Sequence, residues 1–221
     1  MDPFLAFSVA AGSVVTLVAS GRWYFSVTQE RLRALRKARR YSIRDFPQGG
    51  EGRIVGAVVG APGTLIAPLS GRVCVAWAVK VHEYDAVMRT WDVIIDASEG
   101  VLLTVADDTG RALVHAHVAT LVLGPDRHER TILSSAPSPA LDGLLRAHGL
   151  TPHGAVFNKT LRAEEAVILP DQRVGVSGTG HRVPDPSASS QSGYREPPLV
   201  LCIDDGPDGE ILVSNLRGAL R

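Results

Sequence analysis

The chain has 221 residues, with 23 basic and 23 acidic side chains. Residues 50–221 are enough for one domain or two small ones. The two cysteines, Cys74 and Cys202, exclude a disulfide framework; each sits in an apolar run, as buried small residues in a reducing compartment do. The zero net charge hides a segregation: residues 1–44 hold 8 basic and 2 acidic side chains, which leaves 15 and 21 for the rest.

Phe4 to Ala19 is almost unbroken apolar sequence, and no charge falls between Asp2 and Arg22. A span of about 20 residues crosses the hydrocarbon core, so residues 3–25 are expected to form a transmembrane anchor. Trp23, Tyr24 and Phe25 follow as an interfacial aromatic belt would. Charge is acidic before the apolar run and basic after it. That order favours an anchor over a cleaved signal peptide and places the C-terminal side in the cytoplasm; the bland alternative is a buried soluble helix. The expected location is therefore the inner membrane of a bacterium, crossed once.

Residues 26–45 read as a basic juxtamembrane helix. Leu32, Leu35 and Ala38 recur three apart among Arg31, Arg33, Arg36, Lys37, Arg39 and Arg40. Such a helix lies along anionic headgroups, or else is a solvated stop-transfer flank. The neighbouring apolar run already accounts for the arginines, so no nucleic-acid partner is expected. An acidic head on a basic stem suits an anionic surface, which draws the stem in and holds the head off.

Residues 46–53 (Phe-Pro-Gln-Gly-Gly-Glu-Gly-Arg) read as a linker. Strands are expected at Ile54–Val59 and, after the Pro68–Gly71 turn, at Val73–Val81 and Trp91–Ile95. Val101–Val105 and Ala112–Val122 are expected to form a hairpin around Asp107-Asp-Thr-Gly110, with the glycine at positive φ. Leu141, Leu144 and Leu145 predict a helix over Ser138–His148. A strand-turn-strand follows over Glu164–Ser177, then a mobile loop at 183–198. Leu199–Ile203 and Ile211–Ser214 read as a final hairpin. The fold class is mainly β, a small barrel or curved antiparallel sheets with α+β character, carrying the N-terminal transmembrane helix and the juxtamembrane helix.

Chemistry-bearing motifs are sparse. No phosphate-binding Gly-rich loop is present. Ser177 misses the Gly-x-Ser-x-Gly pattern because residue 179 is Thr, and Ser70 has no evident base. His115 and His117 alternate and could share a metal, with His128, Asp107 or Asp108 as third ligand; the bland alternative is two strand histidines on a polar face. Asp204, Asp205, Asp208 and Glu210 lack calcium-loop spacing and read as a solvated turn. No catalytic residue, cofactor or resident metal is expected.

Several segments, in order, resemble the GIDE domain, also called the beside-a-membrane (BAM) domain, found in bacterial membrane proteins and in the non-RING part of the mitochondrial ubiquitin ligase MULAN. They are Gly56, then Leu65-Ile-Ala-Pro68-Leu69-Ser70-Gly71-Arg72-Val-Cys74, the strand through Trp77 to Glu83, and Trp91. They continue with Val105–Val114 including Asp108 and Gly110, Glu164-Glu165-Ala-Val-Ile-Leu-Pro170-Asp171, Val174–Gly178, and Val213-Ser-Asn215. The match spans about 54–215. It implies a β-rich module beside a membrane whose role is protein interaction. A RING needs eight Cys/His ligands and this chain has two cysteines, so ligase activity does not carry over.

The expected function is therefore a single-pass, membrane-tethered interaction module with unidentified protein partners and no catalysis of its own. The alternatives are a metal-dependent hydrolase using His115 and His117, and a lipid or envelope scaffold acting through the stem.

Overall fold

The structure is a computed structural model that describes residues 29–131, 136–151, 159–186, 198–205 and 210–221. It is mainly β, with two helices among the described residues. Helix α1 covers residues 29–37. The strands are β1 (Gly50–Gly60), β2 (Leu65–Ile66), β3 (Val73–Cys74), β4 (Ala76–Asp85), β5 (Thr90–Gly100), β6 (Leu102–Ala106), β7 (Arg111–His115), β8 (Thr120–Leu121) and β9 (Arg127–Arg130). Helix α2 (Pro139–Ala147) precedes β10 (Leu161–Ile168), β11 (Arg173–Pro184), β12 (Leu199–Asp204) and β13 (Leu212–Ser214).

Five strands close a barrel. β1 pairs β6, β6 pairs β7, β7 pairs β12, β12 pairs β11, and β11 returns to β1. All five pairings are antiparallel except β7 with β12. Closure removes the edges that an open sheet of this size would expose. The interior is filled by Ile54, Val58, Leu103, Val105, Ala112, Val114, Val174, Val176, Leu201 and Ile203. These β-branched and leucine residues alternate with outward positions, the pattern the pleat requires.

Two insertions into the barrel build a second sheet, in the order β5-β4-β10-β9. β4 and β5 arrive between barrel strands β1 and β6; β9 and β10 arrive between β7 and β11. Helix α2 covers one face of this sheet. Leu141, Leu144 and Leu145 pack on Val79, Val81, Ile95, Leu161 and Ala163. Ser138 caps the helix by accepting from the Leu141 amide at 3.2 Å, while its own hydroxyl donates to Glu129 at 2.9 Å.

Several expectations are corrected. Residues 46–53 are no linker: β1 begins at Gly50, and Phe46 is buried in the barrel core together with Ile43. The Val73–Val81 strand breaks at Val75 into β3 and β4. β12 and β13 do not pair with each other; both lie on β11, at residues 179–184 and 175–177. β10 and β11 likewise part, one to each sheet. Among the described residues the positive-φ positions are Gly49, Gly71, Gly149, Arg89 and Asp171, and Gly110 is not one of them. The Asp107 side chain makes the turn instead, accepting from the amides of Thr109 and Gly110 at 2.7 and 3.0 Å.

The segment expected to be a juxtamembrane helix differs most. Only residues 29–37 of its described part are helical, and the helix is docked rather than free. Leu35 is fully buried against Leu212 and Ala219, with Leu32 beside it. Arg31 pairs Glu210 at 2.9 Å. The chain then runs along β1, where Tyr41 donates to the Arg53 carbonyl at 2.9 Å. No helix among the described residues is long and apolar enough to cross a membrane. The anchor expected at 3–25, with Trp23 and Tyr24, lies outside the described residues, as does most of the loop expected at 183–198; Val183 and Pro184 close β11.

Candidate functional site

The Pro68–Arg72 turn, Cys74 and Glu165 come together at the seam between barrel and second sheet. β10 places Leu161, Ala163, Glu165 and Val167 on one inward-facing row, and all four are buried. A carboxylate thus occupies a position that alternation reserves for an apolar side chain. Its Oε2 accepts from the amides of Leu69 at 2.6 Å and Ser70 at 3.2 Å. Its Oε1 has no hydrogen-bond partner and faces Arg72 Nη2 at 3.6 Å, an ion pair too long to be a hydrogen bond. Arg72 is held in turn by a bidentate pair with Asp126 at 2.7 and 2.9 Å, and its Nε donates to Ser70 Oγ at 3.0 Å. The Asp126 amide closes the ring by donating to the Glu165 carbonyl at 3.0 Å.

This cluster fixes the shape of the turn. Gly71 adopts φ +68°, where a side chain is strained, and the carboxylate satisfies amides the turn would otherwise bury without partners. Burial and the neighbouring Glu165 charge push the Cys74 thiol above its ordinary pKa, and its Sγ donates to the Leu65 carbonyl at 3.7 Å. Ser70 Oγ faces the Arg72 guanidinium, a donor that cannot take its proton. The arrangement positions a loop; it does not activate a nucleophile.

The other motif residues are dispersed. Trp77 bridges the second sheet's core and the small cluster of Ala67, Cys74 and Val167. Trp91 sits at the far end of that sheet, tilted against Tyr84 at 5.2 Å, with Arg130 over its ring at 5.7 Å. Pro170 is exposed in the turn between β10 and β11, where Asp171 adopts φ +64°. Gly178 allows β11 to pass under β12: a Cβ there would lie 2.4 Å from the Asp204 carbonyl oxygen. Gly110 approaches Ile43, whose Cγ2 would lie 3.3 Å from an added Cβ.

Asp107 joins the β6–β7 turn to the stem by accepting from the Ile43 amide at 2.9 Å, while the Arg44 amide donates to Thr109 Oγ1 at 3.1 Å. Burial raises the Asp107 pKa, but hydrogen bonds from Thr109, Ile43 and Gly110 outweigh it and leave the net value depressed. Beside this junction lies an open cleft of about 530 Å³ lined by Arg40, Tyr41, Gly56, Asp107, exposed Asp108 and Arg173.

The histidine reading divides. The rings of His115 and His117 do meet edge-on, with centroids 5.3 Å apart. None of the expected third ligands joins them. Asp107 and Asp108 are at the opposite end of the β6–β7 hairpin, and His128 lies on β9 of the other sheet, paired with Glu164 at 3.7 Å. His115 instead stands beside Cys202 and Asp204 on β12. Burial, together with the Asp204 carboxylate, pushes the Cys202 thiol up to about 11. The apolar run around Cys202 gave no hint of this neighbourhood; its signal was the alternation of Cys202 with Asp204.

The basic residues separate cleanly by exposure. Arg33, Arg36, Lys37, Arg39 and Arg40 are exposed, and Arg31 is half-buried by its pairing with Glu210. Comparison with protein-family models, curated proteins and solved structures gives no match.

Proposed function

We propose that this chain is a membrane-tethered protein-interaction module whose acidic head is held beside an anionic membrane by the basic stem. One observation carries this reading. The apolar side of α1 is spent on the head, through Leu35, so the exposed Arg33, Arg36, Lys37, Arg39 and Arg40 belong to the same rigid unit as the barrel. A free amphipathic helix would insert its leucines into the bilayer. A docked one offers charge alone, which binds headgroups electrostatically and orients the head. The resemblance to the GIDE family and the apolar run at Phe4–Ala19 point the same way.

Partner binding is assigned to β5. This eleven-residue strand is an edge of the second sheet among the described residues. It exposes Asp92, Glu99 and the apolar Val93, while Asp96 pairs with Lys80 at 3.4 Å. An extended partner segment carrying basic residues fits such an edge by strand addition.

The test has two arms. Residues 22–221 are floated with vesicles containing anionic lipid. Neutralising Arg33, Arg36 and Lys37 to Gln is expected to weaken binding about 100-fold, since each basic residue contributes about 1 kcal/mol. Binding that is indifferent to these changes and to salt would refute the stem's role. In the second arm the full chain is crosslinked in bacterial membranes. A protein partner lost on Val93→Pro supports docking on β5, and a partner retained by that variant rules the edge out.

A further inference from the structure

Cys202 and Asp204 are two residues apart on β12, and their neighbours Leu201 and Ile203 point into the barrel core. Both therefore lie on the barrel's outer face. The parallel neighbour β7 sets Val114 against Ile203, so the next step brings His115 beside Asp204. On the other flank β11 sets His181 opposite Cys202. Three adjacent strands thus gather a thiol, a carboxylate and two imidazoles on one patch, with the His117 ring against that of His115 at its edge. One ring nitrogen of His115, Cys202 Sγ and one Asp204 oxygen all lie within 4.8 Å of one another. Cys202 Sγ is already 3.5 Å from Asp204 Oδ1.

We propose that this patch is a zinc site, with His115, Cys202 and Asp204 as its protein ligands. Bonds of about 2.0–2.3 Å in a tetrahedron bring ligand atoms together from every side, and small side-chain rotations accomplish that from the present spacing. A thiolate with an imidazole selects zinc over magnesium or calcium, which take oxygen ligands. Three protein ligands leave one position of the tetrahedron open for water or a further ligand. The ligands come from strands held in a closed barrel, so the backbone that carries them is in place before the ion arrives. It is independent of the stem and of β5.

The test uses the full chain purified in mild detergent, stripped with chelator and dialysed against zinc. One zinc per chain is expected. Cobalt(II) put in its place is expected to show the near-ultraviolet charge-transfer band that only a thiolate ligand gives. Cys202→Ser should abolish that band, whereas Cys74→Ser, altering a cysteine buried in a different cluster, should leave it intact. His115→Gln and Asp204→Asn lie on the outer face, are expected to keep the parent's circular dichroism, and should each weaken zinc binding tenfold or more. These two variants keep the question open to measurement even if Cys202→Ser fails to fold. Zinc far below one equivalent overturns the proposal, as does a charge-transfer band that survives in Cys202→Ser or zinc affinity unchanged in both outer-face variants.

Discussion

Glu165 is the residue on which the seam depends. A buried carboxylate survives only where partners replace water, and here two backbone amides and the Arg72 guanidinium do so. Glu165→Ala would leave those amides without their acceptor and remove the carboxylate that Arg72 faces. We expect a loss of about 3–5 kcal/mol in urea unfolding. Glu165→Gln keeps an acceptor for the amides and should cost less, about 1–3 kcal/mol. Equal costs for the two would show that the charge pair with Arg72 contributes most of the effect. Asp107 offers a pH test. Its folded pKa lies below the ordinary carboxylate value, so the folded state binds fewer protons there than the unfolded chain does. Its contribution is full above the unfolded aspartate pKa of about 3.9 and is lost as pH falls through the depressed folded value. Thermal unfolding from pH 6 down to pH 2 should therefore show a shallower acid limb in Asp107→Asn than in the parent.

At the scale of elements, α1 is the clearest case of a tertiary contact overriding a local pattern. Leu35→Ala removes its buried anchor and should cost about 2–5 kcal/mol of docking. Hydrogen exchange is expected to quicken in residues 29–37 while the β1–β6 ladder stays protected; loss of protection throughout would mean that the helix is integral to the barrel. Elements with their own local signature were legible in the sequence. α2 declared itself through the Leu141, Leu144, Leu145 spacing, and the β6–β7 hairpin through its Asp-rich turn. Pairing partners were not. The acidic turn after Cys202 promised a reversal, which implies a hairpin, but β11 is long enough to take both β12 and β13 along its length. The side of α1 that faces protein was hidden for a similar reason: leucines among arginines fit a bilayer and a barrel equally well. At the candidate sites, the two adjacent glutamates of β10 had to place one carboxylate inward, a signal that alternation alone supplies. The meeting of His115 with Cys202 required knowing that two strands nearly 90 residues apart lie side by side.

For the whole molecule, the boundary at residue 54 suggested by sequence cuts through the structure. It removes the first four residues of β1, the core side chains Ile43 and Phe46, and Arg53, which donates to the Ala219 and Arg221 carbonyls. A piece spanning 29–221 is expected to give dispersed amide resonances and a cooperative melt, and one spanning 54–215 to give neither. A cooperative melt from the shorter piece would show that stem and C-terminal segment are accessories. Barrel closure also has a consequence for biogenesis. Gly50 pairs Gly180, so β1 waits for a strand made some 130 residues later. At about 5–20 residues per second the ribosome takes on the order of ten seconds to deliver it. Throughout that interval the edge of nascent β1 that will meet β11 stays open, while the chain at Arg40 and then β6 can already pair with the rest of the strand. An edge left open that long is a template for pairing between nascent chains, so whatever covers it early is expected to lower aggregation at birth.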